Sequence, residues 1–521
     1  MAQAVNPPPD GGYPQGNTAE GTAALFSLSG GFYNTAVGID SLLSLTDSSF
    51  NTAIGAGTLL LNTAPENTAT GAGALLNNTT AGGNTANGAF ALFSNTGGGA
   101  NTAVGDRALF TNTIGVSNTA IGAFALFNNS ANPKTGADRN TAAGAEALFS
   151  NTEGRENTAS GANALHDNTT GSHNTASGVG ALAANTTADD NTALGYSGLR
   201  SNTIGNQNTA VGFAALHDNM TGSNNTANGY QALFSNFSGD RNTATGWQAL
   251  AGNTGANNNT ADGFEALLNT NGGNNTGIGF DALETNTTGN ANTAVGANAL
   301  KNTTGSDNIA LGESAGIAVL AGNNNIHIGN GGGNTDTETI RIGLQGTQTQ
   351  TFIAGIRGAT TGFANAVNVL IDSAGQLGTM NSSRRFKHKI KPMESASESV
   401  LALKPVTFCY KTDKTDTSQF GLIAEEVAKI NPDLVVRDEK GDIYSVRYDA
   451  VNAMLLNEFL KEHAKLEEQN CRIQHQEATI VDLQNGIKAL IARIDEQDAK
   501  IQRVSDQVDA TGSAQVALRS Q

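Results

Sequence analysis

The segment Ser382-Ser-Arg-Arg-Phe-Lys-His-Lys389 sets two hydroxyls beside five basic groups. A serine becomes a nucleophile only when a base takes its proton, and lysine serves as that base only if its pKa falls well below the free value near about 10.4. Burial lowers it, and so does like charge, which Arg384, Arg385, His388 and Lys389 supply around Lys387. Taken alone, such a stretch is an ordinary basic linker. Elsewhere the serines, histidines and acids show no spacing that suggests a separate active site. The seven histidines are scattered and no Cys/His cluster has ligand spacing, so neither a metal nor a cofactor is expected.

What would position this segment is written in a repeat. A unit Asn-Thr-Ala-x-Gly-x-x-Ala-Leu recurs from Asn17 to Asn292, with anchor asparagines such as Asn34, Asn51, Asn101, Asn208 and Asn225 spaced 17 residues apart almost throughout. A strict period this short implies a solenoid, because one unit cannot bury its own apolar face and must stack on the next. The Leu eight residues after each anchor (Leu59, Leu75, Leu92, Leu109, Leu126) is expected to form one apolar file, and the Ala two residues after it suits a narrow core. Disordered chains have no reason to hold Leu in register. Glycine four residues after the anchor, together with Asn, is expected at corners where φ is positive, and stacked Asn amides are expected to bond along the axis. Strands should be short. Between Asn118 and Asn140 the spacing grows to 22, and the extra residues around Asn132–Asp138 should form a surface loop.

The balance of 29 basic against 46 acidic residues, a net charge of −17, argues against nucleic acid as a partner. Only Cys409 and Cys471 are present, so no disulfide framework supports the repeats. No run reaches the roughly 18 apolar residues of a membrane span, and the first ten residues read as neither a basic n-region nor an apolar leader. With a single tryptophan, Trp247, on an otherwise monotonous surface, no aromatic cluster advertises a sugar site.

The repeat register breaks after Asn308, and alternating apolar segments at Ile326–Ile328, Ile340–Ile342, Phe352-Ile353 and Val367–Ile371 predict a β-rich neck. Composition shifts at Ser382 to charged residues. From Leu466 a heptad runs through Ile473, Ile480, Ile487, Ile494 and Ile501 to Val508, a sustained coiled-coil pattern whose Ile and Gln core positions favour three strands.

Three ordered segments, Ser382–Met393, Phe420-Gly-Leu-Ile-Ala-Glu-Glu-Val427 and Tyr448-Asp-Ala-Val with its Leu-rich continuation, resemble the intramolecular chaperone domain of phage endosialidase tail spikes, a self-cleaving module. The resemblance covers about residues 382–480. It implies a proteolytic dyad of a serine at the domain boundary and a lysine five residues on, here Ser382 and Lys387. Ser383 stands where that family commonly has Asp. The repeats are loosely similar to the heads of trimeric adhesins.

The expected architecture is therefore an N-terminal tail (1–16), an all-β solenoid or β-roll (17–308), a β-rich neck (309–381), a small α+β chaperone and auto-peptidase domain (382–450), a trimeric coiled coil (451–510) and a tail (511–521). The expected function is a homotrimeric tail-fibre or adhesin-like shaft at the virion tail or cell surface. Its C-terminal module would drive trimerisation and leave by autoproteolysis at Ser382. The alternative is a bacterial surface adhesin whose module trimerises without cutting. Copies of the chain itself are the expected partner, and a host-surface glycan or receptor is an open one.

Overall fold

The computed structural model describes residues 13–129, 137–354, 356, 366–372, 374–438 and 440–517, with side chains to 511 in the last helix. Most of the expected N-terminal tail, residues 132–136 of the expected loop and the last four residues lie outside these. The chain divides into two units, Met1–Thr351 and Phe352–Gln521.

The first unit is a parallel solenoid of 20 three-residue strands, from Thr18–Glu20 to Ile340–Ile342, each paired in register with the next, as Thr226↔Thr243 and Ala227↔Ala244 show. One strand per coil is what a short repeat with a glycine in it can form. The expected interior is present: Leu59, Leu75, Leu92, Leu109 and Leu126 are fully buried in one file, as are the alanines two residues after each anchor. The leucines themselves sit at positive φ, +53° at Leu109. A left-handed residue with a side chain costs about 1–2 kcal/mol, while burying a leucine contributes about 1.5–3 kcal/mol, so burial wins.

Glycine is needed four residues after the anchor for a different reason. At Gly105 φ is +138°, and a Cβ there would lie 2.4 Å from the carbonyl oxygen of Gly122 in the next coil. Asparagine does stand at corners of positive φ, as at Asn224 (+60°) and Asn258 (+59°), but the anchor asparagines are not there: none has positive φ, and all are buried. They build the expected amide ladder instead. The Asn208 backbone N–H donates to Asn191 Oδ1 at 2.9 Å, and Asn208 Nδ2 donates to the Gly222 carbonyl at 2.8 Å. A second buried ladder, eleven residues after the anchors, was not foreseen: Asn202 Nδ2 donates to Asn185 Oδ1 at 3.0 Å, and Asn219 Nδ2 to Asn202 Oδ1 at 2.7 Å.

That second ladder breaks at Thr270, whose shorter side chain leaves Asn253 Oδ1 buried without a partner. Thr270→Asn is expected to restore the rung and stabilise the solenoid by about 1 kcal/mol, read as a higher unfolding midpoint in urea. An unchanged or lower midpoint would show that the break has another cause.

The sheet continues past Asn308. Ile309–Leu311, Ile326–Ile328 and Ile340–Ile342, all within the expected neck of 309–381, are the final rungs of the same parallel sheet. There the core register passes from Ala310 to His327 and Arg341. His327 is fully buried with Nε2 3.0 Å from Asp336 Oδ2, and Arg341 grips both Asp336 oxygens at 2.7 Å. The Arg341 guanidinium, helped by His327, holds the Asp336 carboxyl well below the usual carboxylate range. A carboxyl depressed in the folded state contributes stability above its unfolded pKa of about 3.9, and that contribution is lost as pH falls below it. The wild type should therefore melt above Asp336→Asn at pH 6, and the gap should shrink progressively as pH falls below about 4. A gap independent of pH would contradict this.

The surface is not monotonous, which corrects the expectation of no aromatic cluster. Trp247 belongs to a file of stacked rings, Tyr196, Phe213, Tyr230, Trp247, Phe264 and Phe280, each five residues after its anchor, with centroids 4.8–5.8 Å apart.

The second unit is small. Val369–Ile371 pairs antiparallel with Leu377–Thr379, whereas Phe352-Ile353 forms no strand. Two further hairpins follow, Val406–Phe408 with Gln419–Gly421 and Val435–Arg437 with Ile443–Val446. Helix α1 (Ala424–Ile430) and the first turns of α2 (Tyr448–Ala517) close a core of Val400, Val427, Leu434, Val435, Val446, Val451 and Met454. Beyond this core α2 runs on as one helix of 70 residues.

Candidate functional site

Ser382 and Lys387 bracket a single tight turn. Ser383 is extended (φ −64°, ψ 141°), Arg384–Phe386 makes one turn of 3-10 helix, and Lys387 is extended again (φ −120°, ψ 143°). The Phe386 N–H donates to the Ser383 carbonyl at 3.0 Å and the Lys387 N–H to the Arg384 carbonyl at 3.1 Å. Five residues that would span well over 10 Å if extended are thereby drawn together. The Arg385 guanidinium lies over the Phe386 ring, 4.6 Å from its centroid, so one of the neighbouring cations is fixed along the turn. Both Ser382 and Lys387 are exposed, and among the described residues no hydrogen bond joins their side chains. The turn thus lies between the two residues in a single chain and does not enclose them.

What anchors this segment lies just after it. The 3-10 helix Glu394–Ala402 packs on α2 through the fully buried Ser397, whose hydroxyl donates to Glu458 Oε1 at 2.5 Å and accepts from Asn457 Nδ2 at 2.7 Å. Lys461 completes the cluster, 2.7 Å from Glu458 Oε1. The Lys461 ammonium, then the Ser397 hydroxyl, hold the Glu458 carboxyl below its ordinary value. A buried carboxylate that keeps its charge needs such partners. Sequence reading missed this cluster, since a lone serine sixty-one residues from its glutamate carries no local signal; only the three-residue step from Glu458 to Lys461 marks a helical pair.

The second and third motifs meet. The Leu422 N–H donates to the Tyr448 hydroxyl oxygen at 3.1 Å, and a Cβ on Gly421 would come within 2.9 Å of that oxygen. Phe420-Gly-Leu and Tyr448-Asp are thus two sides of one joint, which explains why a glycine stands there. The heptad residues of α2 make no such contacts: Leu466, Ile473, Ile480, Ile487, Ile494, Ile501 and Val508 are each 50–65% exposed. In a single chain they leave an apolar seam in water along α2. No helix among the described residues is long and apolar enough to cross a membrane.

Comparison with known proteins matches neither a curated protein nor a solved structure to the chain. A family match exists for one part. Residues 382–436, beginning at Ser382 and taking in the turn, the 3-10 helix Glu394–Ala402 and α1, match the family described as chaperone of endosialidase.

Proposed function

We propose that this chain is one subunit of a homotrimeric, tail-spike-like shaft whose C-terminal module brings three copies together and then cuts the chain beside Ser382. The observation that carries the trimer is the exposed heptad seam of α2, which has apolar residues at every seventh position over six heptads and no cover in a single chain. Ile at one core position favours more than two strands when the other, here Gln469, Gln476, Leu483, Leu490, Gln497 and Val504, is permissive, and Gln layers can satisfy one another around a threefold axis. The module's similarity to the chaperone of endosialidase supports the same reading.

The chemistry proposed for the pair is acyl transfer within the chain. Lys387 Nζ, as the free amine, takes the proton of Ser382 Oγ; the oxygen attacks a neighbouring backbone carbonyl, the peptide nitrogen leaves with the proton returned by Lys387, and water hydrolyses the ester. Because both the serine and its target belong to one chain, proximity replaces substrate binding. Lys387 is exposed in a single chain, so the burial that would make it a base has to come from assembly. Cutting would then follow trimerisation. A virion-tail or extracellular shaft benefits from this order, since long parallel β-structures fold slowly and a clamp at one end aligns them, while a high unfolding barrier keeps the shaft together afterwards.

The test of assembly uses Ser382→Ala, which keeps both parts joined. Light scattering should give three times the 53.2 kDa chain mass. A monomer at micromolar concentration would remove the trimer. A surface adhesin whose module never cuts remains the competing reading, favoured by the lack of a Ser382–Lys387 side-chain bond, and an intact wild-type trimer would establish it.

A further inference from the structure

The aromatic file on the solenoid is a surface that neither the repeat nor the terminal module accounts for. Its six rings, Tyr196, Phe213, Tyr230, Trp247, Phe264 and Phe280, stack within 11° of parallel and are each 40–52% exposed. At one ring per coil and about 4.8 Å per strand, the strip runs roughly 24 Å parallel to the axis. Interior stability does not require it, because the leucine and asparagine files already fill the core. A contiguous exposed apolar strip on a soluble protein is usually a contact site.

What it contacts can be argued from two further facts. The first is ring orientation. A sugar packs on an aromatic face, yet in this file each inner ring has both faces against its neighbours and turns only its edge outward. Edges suit apolar side chains better than sugar rings. The second is charge. From Thr158 to Gln248, the strand and the three residues after it carry no charged residue in any coil, whereas Asp189, Asp190, Asp240 and Arg241 lie elsewhere on the same coils; beyond Gln248 the same positions bring Asp262 and Glu265 beside Phe264 and Asp281 beside Phe280. Copies of a chain of net charge −17 repel one another less across such a band, which holds four of the six rings, Tyr196 to Trp247. The rings are also repeated at coil spacing, so copies aligned in parallel present the same strip at the same height.

We propose that this strip is where copies of the chain meet along the shaft, an inference that rests on the three-copy reading above. The contact gives the solenoid an interface of its own beside that of α2 and makes Tyr196–Trp247 an interior feature of the assembly.

The experiment places single cysteines in a full chain carrying Cys409→Ser and Cys471→Ser. Tyr230→Cys lies in the strip; Thr221→Cys, exposed on another side of the coil, is the control. Each is labelled with a maleimide in native protein whose mass is measured on the same sample. In trimers, Tyr230→Cys should label at least tenfold more slowly than Thr221→Cys and form disulfide-linked dimers on mild oxidation. Phe213→Cys should repeat the result if Tyr230→Cys fails to assemble. Trimers in which strip and control cysteines label equally fast would overturn the proposal, and so would protection that appears only on adding a polysaccharide. A monomeric mass would instead remove the three-copy reading and this contact with it.

Discussion

Ser382→Ala and Lys387→Ala are each expected to leave the chain in one piece, lowering the yield of fragments at least about a thousandfold. The wild type should show, after denaturation, a new terminus next to Ser382. The two substitutions act at different steps, one removing the nucleophile and the other its base, so agreement between them separates catalysis from a local folding defect. Neither side chain packs in a core: both are exposed in the single chain, and the turn between them is held by backbone bonds. Both variants should therefore assemble as the wild type does. Ser383→Ala locates the nucleophile. It should still cut; if it does not while Ser382→Ala does, the reaction belongs to the next residue. Peptide mapping of the denatured product reads each case.

Gly212→Val is expected to prevent the solenoid from forming. Gly212 has φ +130°, a region that side chains avoid, and a Cβ there would stand 2.4 Å from the Gly229 carbonyl oxygen in the next coil. Backbone strain of this sort costs about 1–3 kcal/mol, and the clash cannot relax without separating two coils. A total above about 3 kcal/mol in mid-array should give insoluble protein or a sharply lower unfolding midpoint. Gly378→Ala is the control: a Cβ there meets nothing within 4 Å, and its φ is ordinary. Equal behaviour of the two variants would mean that coil spacing is looser than the stack requires.

The architecture of the repeat was readable because identity and position coincide in a stack. Leu109 and Gly105 recur at fixed distance from Asn101, and recurrence along a solenoid axis is contact, so burial and close approach follow from the period alone. The role of the anchor asparagine was half readable. Asn tolerates positive φ and also stacks as amide ladders; the period could not choose between corner and ladder, and burial at Asn208 decides for the ladder. The left-handed leucines had no signal, since Leu is not a residue that announces positive φ. The aromatic file was present as a ring five residues after six successive anchors, but its three letters, Tyr, Phe and Trp, hide a file that a fixed letter would reveal.

The end of the solenoid was lost for a related reason. After Asn325 the next rung comes fourteen residues on, at Thr339, and the core alanine has become His327 and Arg341, so neither spacing nor letter persists. The terminal module differs again. Residues 382–389 carry no chemistry that spacing alone would reveal, and the pair Ser382 and Lys387 became visible only through resemblance to a self-cleaving module. The Ser397–Glu458 bond that anchors the segment joins residues far apart in sequence, and only folding displays it.

The most direct measurement is mass spectrometry of the purified wild-type protein, native and denatured from the same sample. The expected result is a native particle of three subunits whose denatured chains stop beside Ser382, together with a separate fragment of the C-terminal module. Intact 53.2 kDa chains that fly as monomers would contradict both the assembly and the cut.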